Sequence, residues 1–276
     1  MKRWPLIAME NILFADHSLG WPERCATIAA AGYDGIYAVP YPLSDDDFPR
    51  LRQLDREPWR HGLSVSAVYT NLDLAQSSKH ETNQRLTKLF QEVEGTPRIE
   101  LSIKCSKPEC MPENIDESIL RRLEPLLAIA ERRGIQVAIY PHSFYPLETP
   151  DHAARLVKRL GHPSLAYLFA TSHVYAVSEP AGVVAQLAAC VSEIVSFNVC
   201  GCRRLSPGAR ARCGHFPLDE GDLSLDDLFL LLAEGGYGGE VIVQGQGWTG
   251  DLPAMLSRCV SFFKNPQNKF CDYDSN

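Results

Sequence analysis

His142 and His173 each follow a short apolar run that breaks off into polar side chains, Val137-Ala-Ile-Tyr-Pro-His-Ser143 and Leu168-Phe-Ala-Thr-Ser-His173. An imidazole titrates near neutral pH, so two of them facing one hollow could take a proton from a substrate carbon and return it. The plainer alternative for each is a structural histidine bonded to a nearby carbonyl. Two further ionisable residues sit where strands would hold them. Lys104 ends an apolar strand and could polarise a carbonyl, form a Schiff base or merely emerge to solvent. Glu10 is flanked by apolar residues, and a carboxylate there needs a partner such as Lys104 or a raised pKa that suits it to proton abstraction. The candidate catalytic set is therefore His142, His173, Lys104 and Glu10.

Other strand ends contribute amides and aromatics: Asn11, Tyr41, Tyr69, Asn71, Tyr140, Asn198, Gln244, Gln246 and Trp248. Amides and phenols read hydroxyl groups, and a Tyr or Trp face stacks on a sugar ring, so the rim suits a hydroxyl-rich ligand. Tyr69, Tyr140, Asn198, Gln244, Gln246 and Trp248 are the candidate substrate contacts, although Tyr140 and Trp248 would serve equally well as packing residues.

Such a convergence needs a scaffold that brings many strand ends to one side. Short apolar runs at 6–12, 35–39, 64–69, 99–104, 136–140, 165–169, 194–199 and 240–244 read as strands. Between them, amphipathic stretches at 22–31, 45–61, 77–94, 116–133, 149–160, 179–190 and 224–234 read as helices, and 252–263 closes the set. Several helices stop at glycine just before a strand, as at Gly32, Gly62, Gly134 and Gly235, which allows a short return. Strands alternating with helices imply right-handed parallel crossovers, and eight units predict a single (β/α)8 barrel over 1–264 with a polar tail over 265–276. A doubly wound open sheet is the runner-up. It would usually carry a glycine-rich loop after its first strand, and residues 10–16 contain no glycine. The stretch 201–222, rich in Arg, Gly and Pro, is too long for a tight connection and would lie on the catalytic face as a lid. Its Arg203, Arg204, Arg210 and Arg212 make either a solvated loop or a clamp on a phosphate or carboxylate.

Composition narrows the partners. A net charge of -7 argues against a nucleic-acid surface, and no apolar stretch approaches the roughly 20 residues needed to span a bilayer. A small polar substrate and a cytoplasmic location are expected, with a homo-oligomer or a partner subunit left open. The nine cysteines lack zinc-ribbon spacing and read as reduced thiols. Cys200, Cys202 and Cys213 could hold a soft metal, but no fourth ligand has regular spacing.

The order of motifs resembles the xylose isomerase-like TIM-barrel family, which includes sugar phosphate isomerases and epimerases and endonuclease IV-type enzymes. The matching stretches are Ala31-Gly-Tyr-Asp-Gly-Ile36, Gly134-Ile-Gln-Val-Ala-Ile-Tyr-Pro-His142, Phe169-Ala-Thr-Ser-His173, the Gly221 to Leu228 run and Gly235-Gly-Tyr-Gly-Gly-Glu240. They span nearly the whole chain, from Leu6 to Phe263. The resemblance implies a divalent metal (Mn, Mg or Zn) held at four places that fall here on Tyr140, Ala170, Asn198 and Gln244. None is the expected ligand, so no family-type metal centre is predicted. His173 matches an accessory ligand of some members and His142 a substrate contact, and a non-standard metal site would have to use these two.

The expected activity is proton transfer on a sugar or keto-sugar, as in isomerisation, epimerisation or a lyase reaction, with Lys104, Asn198 or Gln244 stabilising the enediolate in place of the cation. Two alternatives stand beside it: a non-catalytic sugar-binding protein or regulatory subunit on the same fold, and a metal-dependent lyase or hydrolase with a His-based site.

Overall fold

The structure is a computed structural model that describes residues 4–265 apart from Ala209. Residues 266–276, including Cys271 and most of the expected tail, lie outside the described residues.

Eight short parallel strands form the barrel: β1 (Leu6–Met9), β2 (Gly35–Ala38), β3 (Ser64–Asp73), β4 (Arg98–Lys104), β5 (Gln136–Ile139), a sixth strand in two pieces, β6 (Leu165–Tyr167) and β7 (Phe169–Ala170), then β8 (Ser196–Val199) and β11 (Glu240–Val243). The break in the sixth strand falls at Leu168. Its first piece pairs with β5 and its second with β8, so that strand joins the two ends of the sheet and closes the ring. The strands shown are those expected, with ends shifted by a few residues. The largest change is at the first strand, which stops at Met9 because residues 10–13 turn into a 3-10 segment.

Helices α1 (Trp21–Ala30), α4 (Glu81–Glu92), α5 (Ile115–Arg133), α6 (Pro150–Leu160), α8 (Pro180–Cys190), α9 (Leu225–Glu234) and α10 (Leu252–Lys264) wrap the outside. The single helix expected over 45–61 is instead a 3-10 turn at Asp45–Asp47 followed by the short helices α2 (Phe48–Leu51) and α3 (Arg56–Arg60). Its break has a physical cause. The Leu54 N–H donates to the carbonyl of Glu94, and the Glu94 N–H to that of Leu51, so the backbone is spent on a tertiary contact. At the end of α5, Gly134 takes φ 65°, the left-handed cap expected there.

Period-two alternation decides what enters the barrel. On β4, Ile99, Leu101 and Ile103 join the large apolar core shared with the helices, whereas Glu100 and Ser102 belong to the polar bore. On β8, Phe197 and Val199 face the helices while Ser196 and Asn198 meet Glu100 inside. Tyr140 and Gln244 have the same inward parity one step above, at the mouth. No helix among the described residues is long and apolar enough to cross a membrane.

Two elements were not foreseen. The stretch 201–222 is not an open loop: β9 (Gly201–Arg204) and β10 (Cys213–Phe216) pair as an antiparallel hairpin with Cys213 opposite Arg204 and His215 opposite Cys202. The short helix α7 (Thr171–Val177) starts directly after β7 and carries His173 in its first turn.

Candidate active site

A cavity of about 840 Å³ opens at the strand C-termini, where barrels of this kind usually bind ligands. Tyr41, Tyr69, Phe144 and Tyr145 supply aromatic walls. Tyr140, His142, Ser143, Ser172, His173, Gln244 and His215 supply its polar groups.

The two predicted histidines do share this hollow, their ring centroids 3.8 Å apart and their planes inclined by 33°. Ser143 orients both. Its carbonyl lies 2.9 Å from His142 Nδ1, so that nitrogen carries the proton and donates, leaving Nε2 as a free lone pair. Its hydroxyl lies 3.0 Å from His173 Nδ1. Tyr145 stacks on the opposite side of the His142 ring with centroids 4.0 Å apart. The turn that places these groups is braced by the His142 N–H on the Leu147 carbonyl and by the Phe144 N–H on the Glu148 carboxylate. Phe144 takes φ 67°, a left-handed conformation uncommon for a bulky residue, so the loop stores strain at the edge of the site.

His215 joins them from β10 and has no hydrogen-bond partner at its buried Nδ1 among the described residues. Burial pulls all three imidazoles below their ordinary range, His215 to about 4. For His173 and His215 a neighbouring imidazole adds to the burial effect. All three are therefore neutral at pH 7 and able to accept a proton. Nothing in the sequence singled out His215. It enters the mouth only because the hairpin folds over it.

Tyr140 sits at the floor, 5.6 Å from His173 and 5.2 Å from Tyr69 by ring centroids. The Gln244 amide nitrogen donates to Tyr140 Oη, and the Gln244 carbonyl accepts from Ser172 Oγ at 3.3 Å. Gln244 and Asn198 are both hydrogen-bonded to the phenol, and the Gln244 amide occupies an acceptor position on it. Burial drives its pKa well above the usual phenol value, so Tyr140 stays protonated.

The other predicted residues fall elsewhere. Glu10 is fully buried in a cage of its own, receiving the Val39 N–H at 2.6 Å and the guanidinium groups of Arg24 at 3.2 Å and Arg50 at 2.9 Å. Its partners are these arginines, not Lys104. Lys104 stands at the rim, its ammonium 5.6 Å from the centre of the Tyr41 ring, and does not line the cavity. Asn198 lies below the floor, donating to Glu100 at 3.4 Å. Gln246 is exposed on the lip. Trp248 is buried outside the cavity, packed so tightly on Gly245 that a Cβ there would come within 2.7 Å of its ring.

Tyr140, Ala170, Asn198 and Gln244 adjoin one another, Ala170 facing Asn198 in register and Gln244 bonded to Tyr140. As a donor set they do not fit a hard divalent cation. They offer a protonated phenol, a methyl group and two amides, and Glu100, the carboxylate beneath, already accepts from Tyr37, Arg98, Ser196 and Asn198. Among the described residues no three His, Cys, Asp or Glu side chains converge in a manner suited to a metal. Cys200 and Cys202 lie 3.5 Å apart by sulfur and are free thiols, and burial raises the thiols of Cys200 and, to about 12, Cys213.

Compared with known proteins, residues 25–256 match the model of the family described as xylose isomerase-like TIM barrel. No curated protein matches the chain. Among solved structures it is similar to an L-ribulose 3-epimerase (TM-score 0.72, 15% identity, covering 94% of this chain and 93% of that one). It is also similar to the apo form of 3-keto-D-glucoside 4-epimerase from E. coli (TM-score 0.68, 16% identity, covering 95% and 99%). A fusion of a xylose isomerase-like TIM barrel with 4-hydroxyphenylpyruvate dioxygenase matches over 94% of this chain with TM-score 0.71 and 16% identity, and there the chain spans 42% of the longer protein.

Proposed function

The chain belongs to the xylose isomerase-like TIM-barrel family, and we propose that it is an enzyme acting on a sugar or keto-sugar by histidine-mediated proton transfer, without the divalent cation usual in the family. The observation that carries this is the pair of imidazoles, 3.8 Å apart by ring centroids, held by Ser143 beside Tyr140. Epimerases among the structural neighbours support a sugar-modifying role at the level of the fold.

In the proposed step, His142 Nε2 takes the proton from a carbon next to the substrate carbonyl. The C–H electron pair becomes the enediolate double bond, and negative charge moves onto the carbonyl oxygen. Tyr140 O–H donates to that oxygen, the role a cation would otherwise fill. Return of that proton from the His142 imidazolium to the neighbouring carbon gives an isomer, its return to the opposite face after the bound enediolate turns over gives an epimer, and departure of a β-hydroxyl as water carrying that proton gives elimination. Lowering the pKa of His142 keeps it in the basic form at pH 7, so kcat/KM should fall only on the acid side, below 6.5.

Solvent deuterium exchange into keto-sugars tests this. The wild type should exchange, and His142→Gln should slow exchange by roughly 10²–10⁴-fold while ligand binding persists. Binding with no exchange in the wild type would favour the non-catalytic sugar-binding reading. Stoichiometric Mn, Zn or Mg in the purified protein would favour the metal-dependent one.

A further inference from the structure

The charge of the cavity wall points to the class of substrate. Of the described residues lining the mouth, Arg212 is the one with a permanent charge; no aspartate, glutamate or lysine among them lines it, and burial holds the three imidazoles below their ordinary range, neutral at pH 7. Its neighbours in the arginine-rich hairpin are occupied. Arg204 is paired with Glu179 at 2.8 Å and donates to the carbonyls of Tyr175 and Ser178. Arg210 grips Glu148 at 2.6 Å, and Arg203 lies 3.8 Å from Asp222 with its guanidinium over the Phe216 ring. Arg212 has no ion pair among the described residues.

Its backbone, by contrast, is fixed. The Arg212 carbonyl accepts from the Leu205 N–H at 2.9 Å, and the adjacent Ala211 N–H donates to the Ala176 carbonyl at 2.9 Å. The tethered main chain places Arg212 at the lip, and its exposed guanidinium, uncommitted among the described residues, offers its fork of N–H donors to an anion entering the mouth.

We propose that Arg212 anchors a substrate carboxylate, so that the molecule processed is a carboxylated polyol or keto-sugar acid and not a neutral sugar. This rests on the proton-transfer reading of the same cavity. One guanidinium neutralises a monoanion. A phosphate dianion would keep excess negative charge against neutral imidazoles and phenols, with no second cation among the described residues lining the wall to meet it. The carboxylate, paired bidentately at the lip, leaves the hydroxyl-bearing carbons to reach inward to His142 and Tyr140.

Calorimetric titration at pH 7.5 with three carboxylates (D-glucuronate, D-gluconate, 2-keto-D-gluconate), neutral D-fructose and D-fructose 6-phosphate tests the assignment. At least one carboxylate should bind tenfold or more tighter than fructose and than fructose 6-phosphate. Arg212→Gln should weaken that carboxylate at least tenfold and leave fructose unchanged, and Arg212→Lys should restore part of the loss. The assignment is overturned if no carboxylate binds, if fructose or its phosphate binds as tightly, or if Arg212→Gln has no effect. Arg212-dependent carboxylate binding without deuterium exchange would sink the catalytic reading and keep this one. Exchange into fructose that ignores Arg212 would do the reverse.

Discussion

In the bore of the barrel, Glu100 accepts hydrogen bonds from Tyr37, Ser196, Asn198 and Arg98, and Arg98 reaches on to Glu240 at 2.7 Å. In the mouth just above, His215 Nδ1 has no partner, Arg212 has no counter-ion among the described residues, and the histidines are held by single contacts to Ser143. Both regions bury polar chemistry. The bore pairs its charged groups internally, Arg98 with Glu100 and Glu240, which ties together the strands that carry them; the mouth leaves a lone pair and a positive charge uncommitted among the described residues, which is what a ligand needs. Barrel interiors are usually filled by branched apolar side chains, and here a charged network takes part of that place beneath the floor of the cavity.

The contrast is most severely challenged by Glu100→Ala. Removing this carboxylate leaves Arg98 with Glu240 as its one remaining ion pair among the described residues and deprives Tyr37, Ser196 and Asn198 of their acceptor, and unfolding measurements should show a loss of about 3–5 kcal/mol. A loss below about 1 kcal/mol would mean the bore does not act as one satisfied network. Acid should act on the mouth instead. The folded imidazoles are held below 6.5 while the unfolded chain takes up their protons near that pH, so stability is full above pH 6.5 and declines as pH falls beneath it. Each ring contributes at most about 1.4 kcal/mol per pH unit, and His215 stops contributing below about 4. Denaturant titrations at pH 7.5 and 5 check this, and His215→Gln should flatten the decline; a pH-independent stability would show that the rings are not buried neutral.

Smaller effects sharpen the picture within the mouth. Ser143→Ala deletes the hydroxyl facing His173 but keeps the carbonyl that fixes His142, so exchange should slow by no more than roughly tenfold, the worth of one ordinary hydrogen bond. A loss as large as that of His142→Gln would make His173 the principal base. Breaking the exposed Arg210 to Glu148 clasp with Arg210→Gln should cost no more than about 1 kcal/mol, because exposed ion pairs contribute little. A larger loss in thermal denaturation would show that the hairpin and the strained Phe144 turn fold as one unit.

Much of the barrel was legible in the sequence because strand and helix periods differ, and the alternation on residues 98–104 and 196–199 says which side chains turn inward. His142 and His173, each placed after an apolar run, do line one cavity. The helix expected over 45–61 failed because Leu54 bonds to Glu94, a partner distant in sequence. Glu10 was rightly marked as needing a counter-charge, yet the partner came from Arg24 and Arg50 and not from Lys104. Trp248 offered the sequence no sign of whether it faces ligand or core, and tight packing on Gly245 settled it.

The sequence by itself determined the repeating strand and helix order and the inward parity of Tyr140, Asn198 and Gln244, since each depends on residue type and local period. Only the tertiary structure decided that Ser143 joins both imidazoles, that β9 and β10 carry His215 and Arg212 over the mouth, and that Glu10 is locked away. Those outcomes depend on contacts between residues far apart in the chain, which no local pattern encodes.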